Sequence, residues 1–442
     1  MKRWLGFIVI FLLSSQLWAQ NLFEDAVSSD SEDTETAQPI YELNGYMRGV
    51  FYGGKVYEKD EAELKSGYGE AVLKLRVRKQ EFGDGYAEIR FRRGNEFGDY
   101  VSEFNLREAY INSYVGRFDF RLGHQIVVWG RADGFNPTNN ITPQNRLVRS
   151  PNEDDYREGN FLVRSFYNIH PFRLEAIWVP TFSPSVLPIR YAPLPHGLSL
   201  TDPDYPDANL KNSAFAAKLD LELSSFDGSV SYFNGYNPYP GIDATMLDIT
   251  KIEVMEKSYK MHIMGADFST TWGSFGLRGE FAYRKPVEDY EKHIYIPNPD
   301  LQYTIGVDKE LGDFNIILQY VGRYVFDFKE LSEPVTPVPE QLINYEMALN
   351  NRMFAMQRDE ISHAISFRPA WKLMYETLNL EMLGLYYFKT EELFIRPKIC
   401  YDITDALELT LGGDIYTGAD DSLYGMTDEI LNAFFIELKT SF

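Results

Sequence analysis

Apolar and charged side chains alternate one by one in segments of about ten residues that recur from Ile40 to the end of the chain. Ala71, Leu73, Leu75 and Val77 oppose Lys74, Arg76 and Arg78, and Ala87, Ile89 and Phe91 oppose Glu88, Arg90 and Arg92. Phe215, Ala217, Leu219 and Leu221 oppose Lys218, Asp220 and Glu222. Later, Phe275, Leu277, Phe281 and Tyr283 oppose Arg278, Glu280 and Arg284. A period of two belongs to a strand with one apolar and one polar face, and a tilted strand of about ten residues is long enough to cross a bilayer. Aromatic residues are 15% of the chain and charged residues 24%, with no apolar run of helix-spanning length after the N-terminus. Such a chain suits an all-β fold, a transmembrane antiparallel β-barrel whose apolar faces meet lipid and whose charged faces line the lumen.

The connections alternate as well. Phe82 to Gly85, Val115-Gly116, Ser225 to Gly228, Thr271 to Ser274, Leu311 to Asp313 and Ile403 to Asp405 have the chemistry of tight turns. Between them lie long stretches: Gly53 to Lys65, Arg131 to Gly159, Pro180 to Lys211, Gly235 to Lys257, Lys285 to Asp300 and Asp327 to Arg358. Short periplasmic turns and long external loops are the expected pattern, with both termini on the short-turn side. Counting segments predicts about eighteen strands; sixteen is the alternative, because Tyr205 to Pro240 and Arg358 to Tyr387 divide in more than one way. Thr336-Pro337 and the spacing of Glu340, Leu342, Tyr345 and Leu349 predict one short helix over Pro337 to Met353, inside a long loop.

The two ends fit export to an outer membrane. Residues 1–19 carry Lys2 and Arg3, an apolar core from Leu5 to Leu13 and Ala19 at a cleavage position, which describes a signal peptide, with Leu17 a poor match to the usual small residue. Residues 20–39 are acidic and rich in Ser and Thr, and are expected to form a disordered periplasmic arm before a barrel over 40–442. Cys400 is the only cysteine, so neither a lipid-anchored N-terminus nor a disulfide framework is expected. At the other end, Phe434, Ile436, Leu438 and the terminal Phe442 share one face and Glu437, Lys439 and Ser441 the other. This ending resembles the signal by which the outer-membrane assembly machinery recognises barrels. The resemblance implies that machinery and outer-membrane lipid as partners, in a Gram-negative (diderm) bacterium.

One segment departs from plain alternation. In RFDFRLGHQIVVWGRADGFNPTNNITPQN, from Arg117 to Asn145, Phe118, Phe120 and Leu122 oppose Arg117, Asp119, Arg121 and Gln125, until the alternation stops at Trp129-Gly130. Asn and Pro then mark a loop led by Trp129, Arg131, Asp133 and Asn136. Arg121, Gly123, Gln125, Trp129, Gly130, Arg131, Asp133, Asn136 and Pro137 resemble a motif in a family of Gram-negative outer-membrane barrels of unknown function. The close match covers about twenty residues and implies a porin-like channel without naming a solute; alginate-export and carbohydrate-selective porins are similar in architecture alone. Two readings of the loop stand: it folds inward as a constriction, with Trp129 anchored on the inner wall, or it stands above the rim.

By parity, Lys74, Arg76, Arg78, Arg90, Arg92, Arg117 and Arg121 point inward as a basic rail, with Gln125 beside them and Glu70, Glu88, Asp119 and Asp133 interleaved. Either these charges neutralise one another in a hydrated lumen, or the rail sets a preference for anionic solutes. The formal net charge of −22 makes nucleic acid an improbable partner. Acidic clusters such as Glu153 to Asp155 are read as solvated loops, or as bridges to surface polysaccharide through divalent cations. None of the six histidines has metal-ligand spacing and no nucleophile motif accompanies them, so catalytic residues, metal and cofactor are not expected. The functional expectation is a channel for small polar solutes, with anionic solutes as a narrower form of it. A plugged surface or adhesin-type barrel and a hydrophobic-solute transporter remain the alternatives; Val186, Leu187, Ile189 and Leu194 among prolines suit the last.

Overall fold

A computed structural model describes residues 41–55, 61–79, 83–96, 98–187, 198–248, 251–335, 338–420 and 422–442. The expected signal peptide and acidic arm lie outside the described residues, as do Thr336-Pro337, Ile189 and Leu194. The wall begins with β1 (Tyr41–Lys55), β2 (Ala62–Lys79), β3 (Gly83–Glu96), β4 (Asp99–Val115), β5 (Phe118–Gln125), β6 (Asn160–Ile169) and β7 (Phe172–Val179). A short β8 (Leu198–Leu200) stands outside it, followed by β9 (Ala214–Glu222) and β10 (Phe226–Tyr236) in the wall. Next, β11 (Gly241–Asp248) and β12 (Lys251–Lys257) pair with β8 in a separate three-stranded sheet. The wall continues through β13 (Lys260–Trp272), β14 (Phe275–Pro286), β15 (Asp300–Leu311) and β16 (Phe314–Val325) to helix α1 (Pro339–Phe354). It ends with β17 (Ile361–Leu373), β18 (Leu378–Tyr387), β19 (Leu393–Thr404), β20 (Leu407–Thr417), helix α2 (Leu423–Leu431) and β21 (Ala433–Ser441).

Eighteen of these strands form one antiparallel sheet in which each wall strand pairs with the next and β21 returns to β1, so the barrel is closed. Closure removes the two edges that an open sheet would leave unpaired. The ambiguous segments resolve into β9 with β10 and β17 with β18, giving eighteen strands rather than sixteen. The faces sort as the pleat requires. Phe118, Phe120, Leu122, Phe172, Leu174, Phe434, Ile436 and Leu438 are exposed on the outside, while Glu70, Arg92, Asp220, Glu280, Thr304 and Arg396 are buried on the inside. An exterior of exposed aliphatic and aromatic side chains around a polar interior is stable only where lipid covers it, so the chain crosses a membrane with its strands.

The start of β1 and the end of β21 share the rim of short turns. At the opposite rim the connections are not uniformly long: β3 reaches β4 through residues 97–98, and β18 reaches β19 through residues 388–392. The long ones fold over the mouth. Helix α1 starts with Pro339 at its first turn, where the missing N–H costs nothing, and lays Ile343 and Met347 on Leu187 and on Ile242 and Val254 of the small sheet. Its Asn351 accepts from the Ile242 N–H (2.8 Å) and donates to the Ile242 carbonyl (2.7 Å), clamping helix to sheet. Helix α2 sits at the lumen edge, and the Lys65 ammonium donates to the carbonyls of Glu429, Ile430 and Asn432 at its C-terminus (2.9, 2.8 and 2.6 Å). A cation there satisfies carbonyls that have no partner within the helix.

At the closure seam, the Gly45 N–H donates to the Phe442 carbonyl and the Phe442 N–H to that of Gly45, both at 3.0 Å. On the inner face Arg48 of β1 meets Glu70 of β2 (2.7 Å), Glu437 of β21 (3.0 Å) and Asp155 of the connection between β5 and β6 (2.8 Å). One guanidinium thus ties the first, second and last strands to a loop. Replacing Arg48 with Met leaves these carboxylates buried without that partner, and breaking such a pair costs about 3–5 kcal/mol. Thermal unfolding of the purified R48M barrel is expected well below wild type; an unchanged midpoint would remove Arg48 from the account of closure.

A loop across the lumen and a cavity beside it

Residues 126–159, between β5 and β6, run through the barrel interior rather than above the rim. Val127, Trp129, Ala132, Phe135, Thr138, Ile141, Val148, Ser150, Glu153 and Asp155 are all buried. On one side Val127, Trp129 and Ile141 lie on an apolar bed made by inward residues of β6 to β14, including Leu162, Ile177, Phe233 and Met261. On the other side Phe135 joins a second bed formed by Leu385, Tyr387, Phe394 and Tyr416, covered by Leu423 and Tyr424 of α2. The loop closes on itself at its root: Thr142 Oγ1 accepts from the Val127 N–H (2.8 Å) and donates to the Val127 carbonyl (2.7 Å).

Wall side chains reach in to meet it. The Trp129 indole N–H donates to Glu175 of β7 (3.1 Å), whose carboxylate also holds Arg164 of β6 (2.6 Å). Glu280 of β14, fully buried, accepts from the backbone N–H groups of Arg131 and Ala132 and from the Thr138 hydroxyl (3.0 Å). The Asn136 amide, oriented to satisfy its neighbours, donates to the same carboxylate (3.1 Å). Gly130 explains the close approach. Its φ of 107° is left-handed, and a Cβ there would stand 2.4 Å from Glu280 Oε1. Gly123 serves the strand below in the same way: φ is 137° and a Cβ would lie 2.2 Å from the Ala109 carbonyl oxygen.

Arg131 and Asp133 do not pair with each other. Arg131 turns to Asp267 of β13 (2.7 Å) and Asp220 of β9 (3.4 Å), while Asp133 takes Arg368 of β17 (2.8 Å). The far end of the loop is held by the seam. Asp155 binds Arg48 and Arg90 (2.9 Å), Glu153 binds Arg396 of β19 (2.9 Å), and the Arg149 carbonyl accepts from Tyr68 of β2 (2.6 Å). The acidic cluster Glu153 to Asp155 is therefore a set of inward anchors, not a solvated external loop. Burial pushes the Asp155 carboxyl up, but the guanidinium groups of Arg48, Arg90 and Arg107 outweigh it and hold the group well below the usual carboxylate range. Its contribution to stability is complete above the unfolded value of about 3.9 and is lost only as pH falls through the depressed folded value.

The basic rail divides by height. Arg90 and Arg92 are buried: Arg90 in pairs with Glu88 (3.0 Å) and Asp155, Arg92 with Glu70 (2.6 Å) and Glu96 (3.3 Å). Nearer the short-turn rim, Lys74 lies 3.9 Å from Glu88, Arg76 is exposed beside the Tyr86 ring and Arg78 pairs with Glu42 (3.3 Å). Arg121 donates to the Asn112 side chain (2.7 Å) over the Tyr110 ring, and Asp119 accepts from Asn168 (2.8 Å). Arg117 lies outside β5, exposed in the turn before it. Gln125 is sealed against the wall, donating to the Leu162 carbonyl (2.9 Å).

Between the two apolar beds, β14 to β16 face a cavity of about 180 Å³ roofed by the end of α1 and residues 237–241. Arg284, Gln302, Thr304 and Arg323 line it from the wall, and Asn136, Asn139 and Gln144 from the crossing loop. Inward parity marks all four wall positions in the sequence, but only the folded loops show which stretch of wall stays uncovered.

No family model matches the sequence, and no curated protein matches it. Solved structures match in fold. Acinetobacter baumannii OccAB1 shares 10% identity at a TM-score of 0.55, with 93% of this chain and 99% of that one covered. A. baumannii OccAB3 shares 9% at 0.54, covering 91% and 99%. Pseudomonas aeruginosa OccK2 (OpdF), solved in complex with glucuronate, shares 9% at 0.55, covering 91% and 96%. At these identities the likeness is one of architecture alone, a closed β-barrel.

Releasing the loop is expected to follow from Gly130→Val, which sets a branched side chain against Glu280. Limited proteolysis of the folded variant should cut between residues 126 and 159, where wild type resists. Equal resistance would contradict the role given to Gly130.

Proposed function

We propose that the protein is an outer-membrane channel of a Gram-negative bacterium, passing small polar solutes through a lumen narrowed by residues 126–159. The reading rests on one observation above the others: the loop that crosses the lumen is gripped by wall side chains on opposite sides, Glu175 and Glu280 on one and Arg48, Arg90 and Arg396 on the other. A loop held so firmly inside a wide barrel sets its bore. The porin-type architecture of the matching structures supports the reading, and the glucuronate bound to OccK2 makes a small polar anion a reasonable cargo. In this reading the short turns are periplasmic, lipid surrounds the wall and the face of Phe434, Ile436, Leu438 and Phe442 serves the assembly machinery. The protein acts as a conduit, not as a catalyst.

Anion preference is assigned to the water-exposed half of the rail, Arg76 and Arg121, because Arg90 and Arg92 are consumed by buried carboxylates. At an effective dielectric near 20, a solute charge about 4 Å from one arginine gains roughly 4 kcal/mol before desolvation is subtracted. Even a small remainder biases a current. In planar bilayers, replacing Arg76 and Arg121 with Gln is expected to shift the reversal potential in a salt gradient toward cation preference. Trp129→Ala should raise single-channel conductance by loosening the loop. Silence of the wild-type protein would overturn the channel reading in favour of a plugged barrel, and unchanged selectivity would remove the rail from it.

A further inference from the structure

We propose that the acidic segment of residues 21–39 docks on a basic arc at the short-turn mouth of the lumen and regulates the channel, competing there with its anionic solutes. The proposal rests on the channel reading and adds its regulation.

Three arginines at that mouth lack an acid. On the inner face near the short-turn rim, Arg76 of β2 lies over the Tyr86 ring (5.7 Å), Arg121 of β5 over Tyr110 (4.3 Å) and Arg173 of β7 over Phe166 (4.3 Å). None of the three has an ion pair among the described residues. The acids beside them are taken up elsewhere: Glu42 pairs with Arg78 (3.3 Å), Asp84 accepts from Asn112 (3.0 Å) and Tyr114 (2.6 Å), and Asp119 accepts from Asn168 (2.8 Å). Strand register makes the three arginines and their rings one band. Arg76 stands opposite Tyr86, Tyr86 opposite Tyr110, and Arg121 opposite Asn112, one inward position beyond Tyr110. Arg173 stands opposite Asn168, one inward position beyond Phe166. At loop height Arg48, Arg90 and Arg396 each meet a carboxylate carried in by the crossing loop. The chain before β1 can bring the same group to this lower arc.

Charge, attachment and length all fit that occupant. Residues 21–39, outside the described residues, hold Glu24, Asp25, Asp30, Glu32, Asp33 and Glu35 and no Lys or Arg. They join β1 at this same rim, where Tyr41 pairs with Val77, the residue after Arg76. From β2 to β7 the arc is about 24 Å wide at roughly 4.8 Å per strand, and about twenty residues reach roughly 60 Å when extended. A single exposed ion pair contributes little, so docking needs several at once and the tether that keeps the carboxylates at high local concentration. Such attraction is screened by salt, because the Debye length falls from about 10 Å in 0.1 M to about 3 Å in 1 M.

The test compares the full-length protein in planar bilayers with a variant carrying Glu24→Gln, Asp25→Asn, Asp30→Asn, Glu32→Gln, Asp33→Asn and Glu35→Gln. These changes keep the length of the segment and leave the barrel untouched. In about 0.1 M KCl the neutralised variant should show stronger anion preference and larger current than wild type, and in about 1 M the two should coincide. A synthetic peptide of residues 21–39, added to the variant on the short-turn side, should return the wild-type current. Its half-effective concentration should be at least roughly tenfold lower in the dilute salt than in the concentrated one. In a neutralised variant that also carries Arg76→Gln, Arg121→Gln and Arg173→Gln, the peptide should have no effect. Equal selectivity of wild type and neutralised variant in the dilute salt, or a peptide effect unmoved by the three arginine changes, overturns the docking while the channel stands. A wild type that is silent until the acids are neutralised supports the docking as a full plug. Should neither protein carry current, the channel reading fails, and the docking is read from the anisotropy of the fluorescently labelled peptide with the detergent-purified neutralised variant. Binding lost with the three arginines supports it; no binding, or binding indifferent to them, overturns it.

Discussion

A charge taken out of water inside this barrel has to meet a partner, and Arg48 shows how far the chain goes to supply one. Its guanidinium, almost wholly buried, is met by Glu70 of the neighbouring strand, Glu437 of the last strand and Asp155 from a loop more than a hundred residues away in sequence. The geometry of the barrel makes this necessary. Eighteen strands enclose a lumen too wide for wall side chains to fill, so the space is taken either by water or by chain. Where chain enters, every inward charge it covers loses its hydration and has to be paired. The crossing loop brings its own carboxylates to the arginines of the seam and its own N–H groups to Glu280. The result is a loop whose position is dictated by the wall.

The same requirement divides the basic residues into two populations with different uses. Arg48, Arg90 and Arg396 sit at the height of the loop and hold it, with Arg92 paired beside them to Glu70 and Glu96 of the wall. Arg76 and Arg121 sit nearer the short-turn rim, away from the loop, and in the proposed channel they are the charges offered to a passing solute. Arg284 and Arg323 form a third case. They lie at loop height, but at the stretch of wall the loop leaves uncovered, and Asp300 neutralises them only in part.

Much of this was legible in the residues. Period-two alternation marked the wall strands, and parity told inside from outside, because one face must be lipid-soluble and the other not; Phe118, Phe120 and Leu122 against Arg121 is enough to show it. The helical spacing from Glu340 to Leu349 located α1, which begins at Pro339, a residue suited to the first turn. What parity could not reveal is height and cover. Arg90 and Arg76 share a face, yet one meets Asp155 and the other meets water, a difference made by the path of a distant loop. Arg131 and Asp133, two residues apart in sequence, part to different strands of the wall because each finds an opposite charge there. Helix α2 and the sheet of β8, β11 and β12 escaped notice, being short pieces within loops, stabilised by packing on other loops rather than by a pattern of their own.

Residues 126–159 are fixed to the inner wall in the native barrel. Amide hydrogen exchange of the full-length protein in detergent or lipid, read peptide by peptide, addresses it directly. The N–H groups of Val127, Arg131 and Ala132 donate to buried side-chain oxygens, so peptides covering them should exchange as slowly as the wall strands β13 and β14. Exchange of that stretch at the rate of an unprotected loop would contradict the account.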